Sequence, residues 1–357
     1  MNNRLFDKWH SAIKLLRSGE RKTRIKNFTW LLTGIYLSRS VHLSKIASKI
    51  PGKATATSRE RRLSRLLDNC AIRVREWYEP VAKNILADMA QNVKEIRLIV
   101  DGTKIGFGHQ LLMVAVAYRR RAIPLAWTWV RFSRGHSATD KQLALLSYVR
   151  SLLPKGVPVF LAGDSEFGSI DALKTLNRWR WKYVLRQKTN HLVKLAEHKD
   201  WQAFGTLTTK PGQRLWLGKA LLTQKHAYPV NLLTDWAVGE DEPWLLATNL
   251  PNLELALATY NRRMWIEEMF GDFKKHGFDL ESTHLRHFMR LSRLTLAVAL
   301  LYVWLIAFGS QVIKTGLRYL VDRTDRRDLS IFHIGWKMIE RCLTNASSFS
   351  INFVTYC

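Results

Sequence analysis

The amino-acid sequence predicts an α/β protein in which a core of strands and helices carries an inserted β-rich subdomain and is flanked by helical N-terminal and C-terminal regions. Residues 1–90 place apolar side chains at helical spacing. From about residue 95, short β-rich segments alternate with helical ones, as in layered α/β folds. Strand-like pieces with several Gly, Pro and Trp residues interrupt this order at about 190–250. The predicted domains are residues 1–90, residues 91–285 with that insertion, and residues 286–357.

The composition indicates a folded, strongly basic protein. Of the 357 residues, 47% are hydrophobic, which excludes a disordered chain. The chain has 56 Lys and Arg against 29 Asp and Glu, a formal net charge of +27. Residues 1–80 hold 18 basic and 6 acidic residues, a net charge of +12, and the other 277 residues hold 38 and 23, a net charge of +15. This excess favours a nucleic acid as partner, with a ribosomal protein, a membrane-surface protein and a merely basic enzyme as alternatives.

The N-terminal region is predicted to carry a basic helix after a turn. Pro51 and Gly52 interrupt the helical pattern, and Thr57 or Ser58 is expected to cap the helix that follows. Two helices around such a turn are compatible with a helix-turn-helix-like DNA reader, and a solvated basic helix is the alternative. The candidate DNA-binding residues on this helix are Arg59, Arg61, Arg62 and Arg65.

Two predicted strands of the core end in an aspartate. IRLIVDG places Asp101 at the end of the first strand, and VPVFLAGD places Asp164 at the end of the fourth. LLMVAVAY and IPLAWTWV form two strands between them, followed by the helix TDKQLALLSYVRSLLPKG. The helix SIDALKTLNRWRW and the strand KYVLRQ come after Asp164. An aspartate after a strand is most often a turn residue, but two at strand ends lie where α/β sheets place their sites.

A predicted long helix, from about Leu253 to Lys275, supplies a third carboxylate. At about 100° per residue, its polar residues fall within about 60° of one another around the axis. The apolar residues of the helix lie on the opposite, core-facing side. A surface ladder of ion pairs is the alternative interpretation of this stripe. The four polar residues are Tyr260, Arg263, Glu267 and Lys274.

Three carboxylates from different elements suit a pair of hard metal ions. Mg²⁺ prefers oxygen ligands, and phosphoryl transfer uses two such ions about 3.5–4 Å apart. We therefore expect Asp101, Asp164 and Glu267 to bind two Mg²⁺ ions, with Mn²⁺ as a substitute.

The spacing Y-x-x-R-x-x-x-E-x-x-x-x-x-x-K, filled by Tyr260, Arg263, Glu267 and Lys274, resembles the signature of the insertion-sequence-four family of cut-and-paste DNA transposases. Asp101 in IVDGT and Asp164 in LAGDSEF are similar to the first two catalytic aspartates of that family. The resemblance spans roughly residues 95–310.

The resemblance implies a ribonuclease-H-like catalytic core that excises a mobile element and joins it to target DNA. It implies catalytic roles for the three carboxylates and DNA-binding roles for the other three signature residues. The implied partners are double-stranded DNA, as terminal inverted repeats and target, and a second copy of the chain in a dimer on the paired ends. It also suggests that Trp236 or Trp244 stacks on an extruded base.

The sequence departs from the family pattern at two points. Ser165-Glu166-Phe167 stands where the family usually has an Arg-Gly-Phe-like sequence, so Glu166 adds a carboxylate that can compete for metal. The tryptophan usually next to the signature arginine is displaced by one position, to Trp265. A structure-selective nuclease on the same core and a non-catalytic DNA-binding repressor of transposition are the alternative functions.

The remaining features concern location. Three cysteines, Cys70, Cys342 and Cys357, are too few and too scattered for a disulfide scaffold or a zinc site, which fits a reducing cytosol. The family resemblance implies a bacterial cytoplasm with the protein on the nucleoid. The uncharged run Leu294–Gly309 is shorter than the ~20 residues that span a bilayer. We therefore expect a buried helix there and no membrane partner. The C-terminal region, which includes a charged helix expected near Leu317–Arg327, is expected to pack on the core and to contribute to dimerisation.

Overall fold

The computed structural model describes residues 2–106, 108–131, 137–208 and 210–354, so Cys357 lies outside the described residues. Cys70 is exposed, Cys342 is buried, and both are free thiols. The fold is a mixed α/β architecture with a large mixed sheet. Its helices are α1 (Asn2–Leu16), α2 (Lys22–Ser38), α3 (Leu43–Ser48), α4 (Ala56–Asp68), α5 (Val74–Asn92), α6 (Thr139–Leu152), α7 (Ile170–Arg178), α8 (Leu253–Tyr260), α9 (Met264–Phe273), α10 (Phe288–Lys314) and α11 (Ile331–Thr344).

Ten strands form one sheet in the order β3-β2-β1-β4-β5-β10-β9-β8-β6-β7. β1, β2 and β3 form an antiparallel meander, and β4 and β5 run parallel to β1. The strands are β1 (Ile96–Ile105), β2 (His109–Tyr118), β3 (Arg121–Arg131), β4 (Val159–Gly163), β5 (Lys182–Arg186), β6 (Leu192–Leu195), β7 (Gln202–Ala203), β8 (Arg214–Leu222), β9 (Tyr228–Asp235) and β10 (Trp244–Thr248).

The region predicted as an inserted subdomain continues this sheet. β10 pairs antiparallel with β5 on one side and with β9 on the other, so the chain returns to the core sheet before α8 begins. α8 covers one face there, where Val184, Leu246 and Leu257 form a small apolar cluster with Tyr260. The insertion therefore shares its hydrogen bonds and part of its core with the strands that precede it.

Two sequence predictions about helices in the second half of the chain are wrong. The helix expected over 253–275 is broken by a 3₁₀ turn, Asn261–Arg263, between α8 and α9, and Lys274 lies beyond the end of α9 with non-helical backbone angles. The charged helix expected near 317–327 reduces to the 3₁₀ turn Leu317–Leu320. That segment offers few apolar side chains to pack, and Gly316 before it is in the left-handed region with φ 74°.

The helical cap in the N-terminal region also differs from the prediction. α4 starts one residue after Thr55, whose side chain accepts a hydrogen bond from the Ser58 N–H at 3.2 Å. Thr57 and Ser58 are therefore inside the first turn rather than at the cap. Pro51 and Gly52 lie between α3 and α4, and these two helices pack against each other.

α10 is the central helix of the core and contains the uncharged run. By length and composition it could span a membrane, but 83% of its apolar window is buried inside the fold, as in a core helix. It packs against β3, α2, α4, α5 and α11. The buried Arg293 donates to the carbonyls of Leu67 and Ile72, which ties α10 to the end of α4. The N-terminal helices and the sheet therefore share one hydrophobic core.

Candidate active site

Strand register places the two aspartates side by side. β1 and β4 run parallel with Val100 opposite Gly163, and each of these residues is followed by an aspartate. Because neighbouring strands lie about 4.8 Å apart, Asp101 and Asp164 project from adjacent points of the same sheet edge. β4 ends at Gly163, whereas β1 continues beside β2, so Asp101 stays in the sheet and is buried.

Arg263 connects the first aspartate to the glutamate of α9. The 3₁₀ turn that carries Arg263 packs against β1 and β4. Its Nη1 donates to Asp101 Oδ2 at 2.8 Å, and its Nη2 donates to Glu267 Oε1 at 2.8 Å. The Arg263 side chain is 10% exposed, and that of Glu267 is 48% exposed. The guanidinium therefore bridges two of the three predicted carboxylates from inside the fold.

The three carboxylates share one electrostatic environment. Burial raises the pKa of Asp101 to about 7, although the Arg263 guanidinium and the Gly102 N–H, which donates at 2.7 Å, both lower it. The charges of Asp164 and Glu267 raise the pKa of Asp101 further. Asp164 and Glu267 thus lie close enough to Asp101 for their charges to act on it, and the three acidic side chains concentrate negative charge in one place.

The donor chemistry of this cluster fits a hard cation. Asp164 Oδ1 is buried and has no hydrogen-bond partner among the described residues. The three acidic side chains offer carboxylate oxygens, which are the ligands that Mg²⁺ and Mn²⁺ prefer. In the described parts of the chain, no group of three acidic, His or Cys side chains is arranged to hold a metal ion as it stands. Arg263 already occupies the facing oxygens of Asp101 and Glu267.

The predicted polar stripe on one helix is wrong in two of its members. Tyr260 is 1% exposed, and its ring packs edge-on against Trp244 at 4.9 Å between centroids. Lys274 Nζ pairs with Glu281 Oε1 at 3.2 Å. The stripe assumed one continuous helix, whereas the turn at 261–263 changes the rotation and α9 ends before Lys274.

Tyr260 nevertheless belongs to the site. The Arg263 guanidinium lies 5.8 Å from its ring centre. Burial raises the pKa of its phenol, the Arg263 charge lowers it, and the charge of Asp164 raises it. Its hydroxyl is buried without a hydrogen-bond partner among the described residues. The phenol is therefore a neutral donor beside the carboxylates.

Of the two tryptophans proposed for base stacking, Trp244 lies against a site residue. It is half-buried and contacts Tyr260. The Trp236 indole N–H donates to the Glu240 carbonyl at 2.8 Å, within its own turn.

Glu166 is held by the fold. The Ser137 N–H donates to its Oε1 at 2.6 Å, the Ser137 hydroxyl donates to the same oxygen, and the Gln110 amide donates to Oε2 at 2.9 Å. The Gln142 amide donates to the Glu166 carbonyl at 3.1 Å. Both carboxylate oxygens of Glu166 therefore have partners, in contrast to Asp164 Oδ1.

The arginines of α4 are mostly unengaged. Arg59 donates to the Gly52 carbonyl. For Arg61, Arg62 and Arg65, the described residues provide no side-chain hydrogen bond or ion pair. Arg62 and Arg65 line a groove between α2 and α4 that also contains Arg21, Arg24 and the polar side chains of Thr23, Asn27 and Asn69.

Sequence reasoning missed Arg186, which ends β5. Leu185 pairs with Gly163, so Arg186, the last residue of β5, lies at the level where Asp164 follows β4. Its charge lowers the pKa of Tyr260, and its Nη2 lies 3.2 Å from Oε2 of the exposed Glu242. The signal was available, because KYVLR places an arginine after an apolar strand in the manner of the two aspartates.

A second arginine–carboxylate cluster lies on the same helix. Arg121 Nη1 is 2.8 Å from Glu268 Oε2, and Arg121 Nε is 3.3 Å from Asp272 Oδ2. Burial raises the pKa of Asp272 to about 7, the Arg121 charge lowers it, and the Glu268 charge raises it. The polar stripe predicted from the sequence did not include Glu268 or Asp272, and it indicated no contact with the β2–β3 hairpin.

Three comparisons with known proteins bear on this site. Residues 94–304 match the family model of the transposase DDE domain. No curated protein matches the chain in sequence. One similar solved structure is a cryo-EM structure of a piggyBac transposase synaptic complex with hairpin DNA, with a TM-score of 0.43 and 9% identity over 94% of this chain and 76% of that chain.

Proposed function

This chain belongs to the transposase DDE-domain family, whose model covers more than half of it, and we propose that it cleaves DNA at the ends of an insertion sequence and joins those ends to target DNA. The observation that carries the proposal is the convergence of Asp101, Asp164 and Glu267 at one sheet edge, with Arg263 between two of them. The Tyr-Arg-Glu-Lys spacing supports assignment to the insertion-sequence-four branch.

We propose that β1 to β5, with the helices packed on them, are a ribonuclease-H-like core. The order β3-β2-β1-β4-β5, with β4 and β5 parallel to β1, supports this proposal. So does the placement of the acidic residues: Asp101 lies within β1, Asp164 directly follows β4, and Glu267 lies on α9, which packs against β1.

In the proposed mechanism, Asp101, Asp164 and Glu267 would hold two Mg²⁺ ions. When bound, such ions would supply activation of the attacking water or 3′-hydroxyl and stabilisation of the leaving oxygen. The protein contributes the negative charge that retains the cations at a buried sheet edge, where electrostatic interactions are stronger than in water. We propose that Arg263, whose planar fork matches two phosphate oxygens, and the neutral phenol of Tyr260 orient a DNA phosphate.

Duplex DNA, as terminal inverted repeats and as target, is the proposed partner. The net charge of +27 and the unengaged Arg61, Arg62 and Arg65 support phosphate binding by α4. We also propose a homodimer on the paired ends and a cytoplasmic, nucleoid-associated location, both from the family resemblance.

The test is a cleavage and joining assay on DNA that carries the inverted repeats flanking this reading frame, with Mg²⁺. We expect wild-type protein to yield cleaved ends and joined products, and Asp164→Asn and Glu267→Gln to yield neither while binding DNA nearly as well. Glu268→Gln is the matched control, since it changes the next residue on the same exposed helix turn. Cleavage without joined products would indicate a nuclease, and DNA binding without cleavage would indicate a repressor.

The DNA-binding role of α4 is tested in the full chain, because the N-terminal helices share the hydrophobic core with α10. Replacing Arg61, Arg62 and Arg65 by Gln is expected to weaken duplex binding and to reduce the slope of log K against log salt by about 0.9 for each phosphate that the protein no longer neutralises. Arg326→Gln is the control, because that exposed arginine pairs with Asp328 far along the chain. Equal salt slopes in all three proteins would contradict the role.

A further inference from the structure

We infer that Arg263 is a resident counter-cation of the carboxylate cluster, which competes with divalent cations for Asp101 and Glu267 and thereby sets the metal affinity of the site. This inference rests on the metal-dependent function proposed above. It concerns what the arginine does before any metal or DNA is bound.

The first observation is that Arg263 uses the carboxylate oxygens that metal binding would need. One guanidinium nitrogen is 2.8 Å from Asp101 Oδ2, and the other is 2.8 Å from Glu267 Oε1. The second oxygen of Asp101 accepts the Gly102 N–H at 2.7 Å. Both oxygens of Asp101 are therefore engaged, whereas Asp164 keeps a buried oxygen with no hydrogen-bond partner among the described residues.

The second observation is that the Arg263–Asp101 half of the bridge is largely shielded from water. The side chains of Arg263 and Asp101 are 10% and 12% exposed. Charge-assisted hydrogen bonds in such surroundings are stronger than exposed ones. A dication that contacts the same two carboxylates would face the guanidinium at close range, and two positive charges there repel each other. Metal binding therefore requires the arginine to loosen at least one of its two contacts.

A displaced guanidinium would be left with few partners. Its Nε is buried without a hydrogen-bond partner among the described residues, and the remaining neighbours are the Met264 sulfur at 3.2 Å and the Tyr260 ring. A DNA phosphate offers two oxygens to that fork. Metal and DNA would then bind with positive coupling, because each removes a competitor of the other.

The test measures Mn²⁺ binding to the full chain without DNA, from the electron paramagnetic resonance signal of free Mn²⁺. We expect Arg263→Gln to bind Mn²⁺ about tenfold more tightly than wild type, the size of one charge-assisted hydrogen bond. Arg121→Gln is the matched control, because Arg121 also bridges an exposed Glu and a buried Asp on α9. We expect its Mn²⁺ affinity to equal that of wild type.

Unchanged or weaker Mn²⁺ binding by Arg263→Gln would overturn the inference, since it would make Arg263 a support for the ligands rather than a competitor. Arg263→Lys covers the case in which Arg263→Gln does not fold. A single ammonium replaces the two-pronged contact, so its affinity should lie between those of the other two proteins, and a wild-type affinity would again overturn the inference.

The outcomes separate this inference from the proposed function. If the wild-type protein cleaves and joins DNA but the Arg263 variants bind Mn²⁺ no more tightly, the proposed function stands and Arg263 does not compete with metal. If the Arg263 variants bind Mn²⁺ more tightly but the wild-type protein cleaves no DNA, Arg263 competes with metal and the proposed enzymatic function is wrong.

Discussion

Two arginine–carboxylate clusters, each including a glutamate of α9, have almost the same composition and different surroundings. In the first, Arg263 bridges the buried Asp101 and the exposed Glu267. In the second, Arg121 bridges the buried Asp272 and the exposed Glu268. Burial raises the pKa of Asp101 and of Asp272 to about 7 in each case. A perturbed pKa and a buried ion pair are therefore common to both, and neither marks a catalytic site by itself.

The difference is a third carboxylate. Asp164 lies beside Asp101 at the sheet edge and keeps an oxygen without a partner among the described residues, so the first cluster has more negative charge than its arginine neutralises. The second cluster faces the buried phenol of Tyr302 on α10, which is neutral because burial raises its pKa far above the ordinary value. One arginine therefore neutralises a larger share of the negative charge in the second cluster than in the first. This surplus of charge is what a divalent cation can satisfy.

The largest expected effect concerns catalysis. Asp101→Asn should lower the single-turnover cleavage rate by about 10²–10⁴-fold, the usual cost of removing a group that acts in the transition state. Asp272→Asn should retain the wild-type rate, because its cluster lacks the third carboxylate. Equal losses in the two variants would show that Asp101 acts through the fold of α9, and the comparison would fail.

The second prediction separates the clusters by their response to metal. Arg121→Gln leaves Asp272 buried without its cation and should lower the free energy of unfolding by about 3–5 kcal/mol, the typical cost of breaking a buried pair. Arg263→Gln should also destabilise the protein, but Mg²⁺ at about 100 times its Kd should restore about 2.7 kcal/mol. Urea denaturation with and without Mg²⁺ measures both. At the same Mg²⁺ concentration, Arg121→Gln and wild type should gain only about 1.4 kcal/mol, because they bind the metal about tenfold more weakly. An equal gain in Arg121→Gln and Arg263→Gln would contradict the distinction.

The sequence predicted the parts of the site that local pattern determines. An apolar run followed by aspartate predicted two strand ends. Asp164 does follow β4, whereas Asp101 lies within β1, which continues to Ile105, and the structure brings both aspartates beside Glu267. The strand and helix order from 95 to 186 also followed from alternating periods. These features depend on neighbours in sequence, so the sequence contains them.

What the sequence could not predict depends on distant contacts or on a local break. Glu268 and Arg121 are 147 residues apart, and nothing in either segment indicates the other. The neighbouring positions of Arg263 and Glu267 follow from helical spacing, but the contact of Arg263 with Asp101 joins residues 162 apart, and nothing in either segment indicates it. The return of β10 between β5 and β9 is a property of the sheet order, which alternating polarity does not specify.

The third prediction uses pH to isolate the second cluster. A carboxyl whose folded pKa is raised from 3.8 to about 7 binds its proton more tightly in the native state, so stability falls as pH rises between those values. One such group contributes at most about 1.4 kcal/mol per pH unit. The charged and titratable groups around Asp272 are Arg121, Glu268, Tyr302 and, beside Arg121, His333.

Asp272→Asn should therefore flatten the dependence of the unfolding free energy on pH between about 5 and 7. Glu268→Gln should change this dependence little, because Glu268 is the exposed partner of Arg121. Chemical denaturation at several pH values measures the slope. An unaltered slope in Asp272→Asn would show that Asp272 is ionised throughout this range.

The smallest expected effect concerns Glu166, the fourth carboxylate near the site. If surplus charge defines the metal cluster, Glu166 should not contribute, because Ser137 and Gln110 occupy both of its oxygens. In Glu166→Gln, the new carbonyl can accept from Ser137, and the new amide can donate to Gln110 Oε1, which is buried without a partner among the described residues.

Stability in Glu166→Gln should therefore change by about 1 kcal/mol or less, with Mn²⁺ affinity equal to that of wild type. Glu166→Ala is the contrasting variant. It leaves the Ser137 N–H and the Gln110 amide without their hydrogen-bond acceptor and should lower the free energy of unfolding by about 1–3 kcal/mol. Loss of Mn²⁺ binding in Glu166→Gln would make Glu166 a ligand and would extend the cluster to four carboxylates. The charge balance that separates the two regions of α9 would then have to include it, because Arg263 would face one more negative charge than Asp101, Asp164 and Glu267 supply.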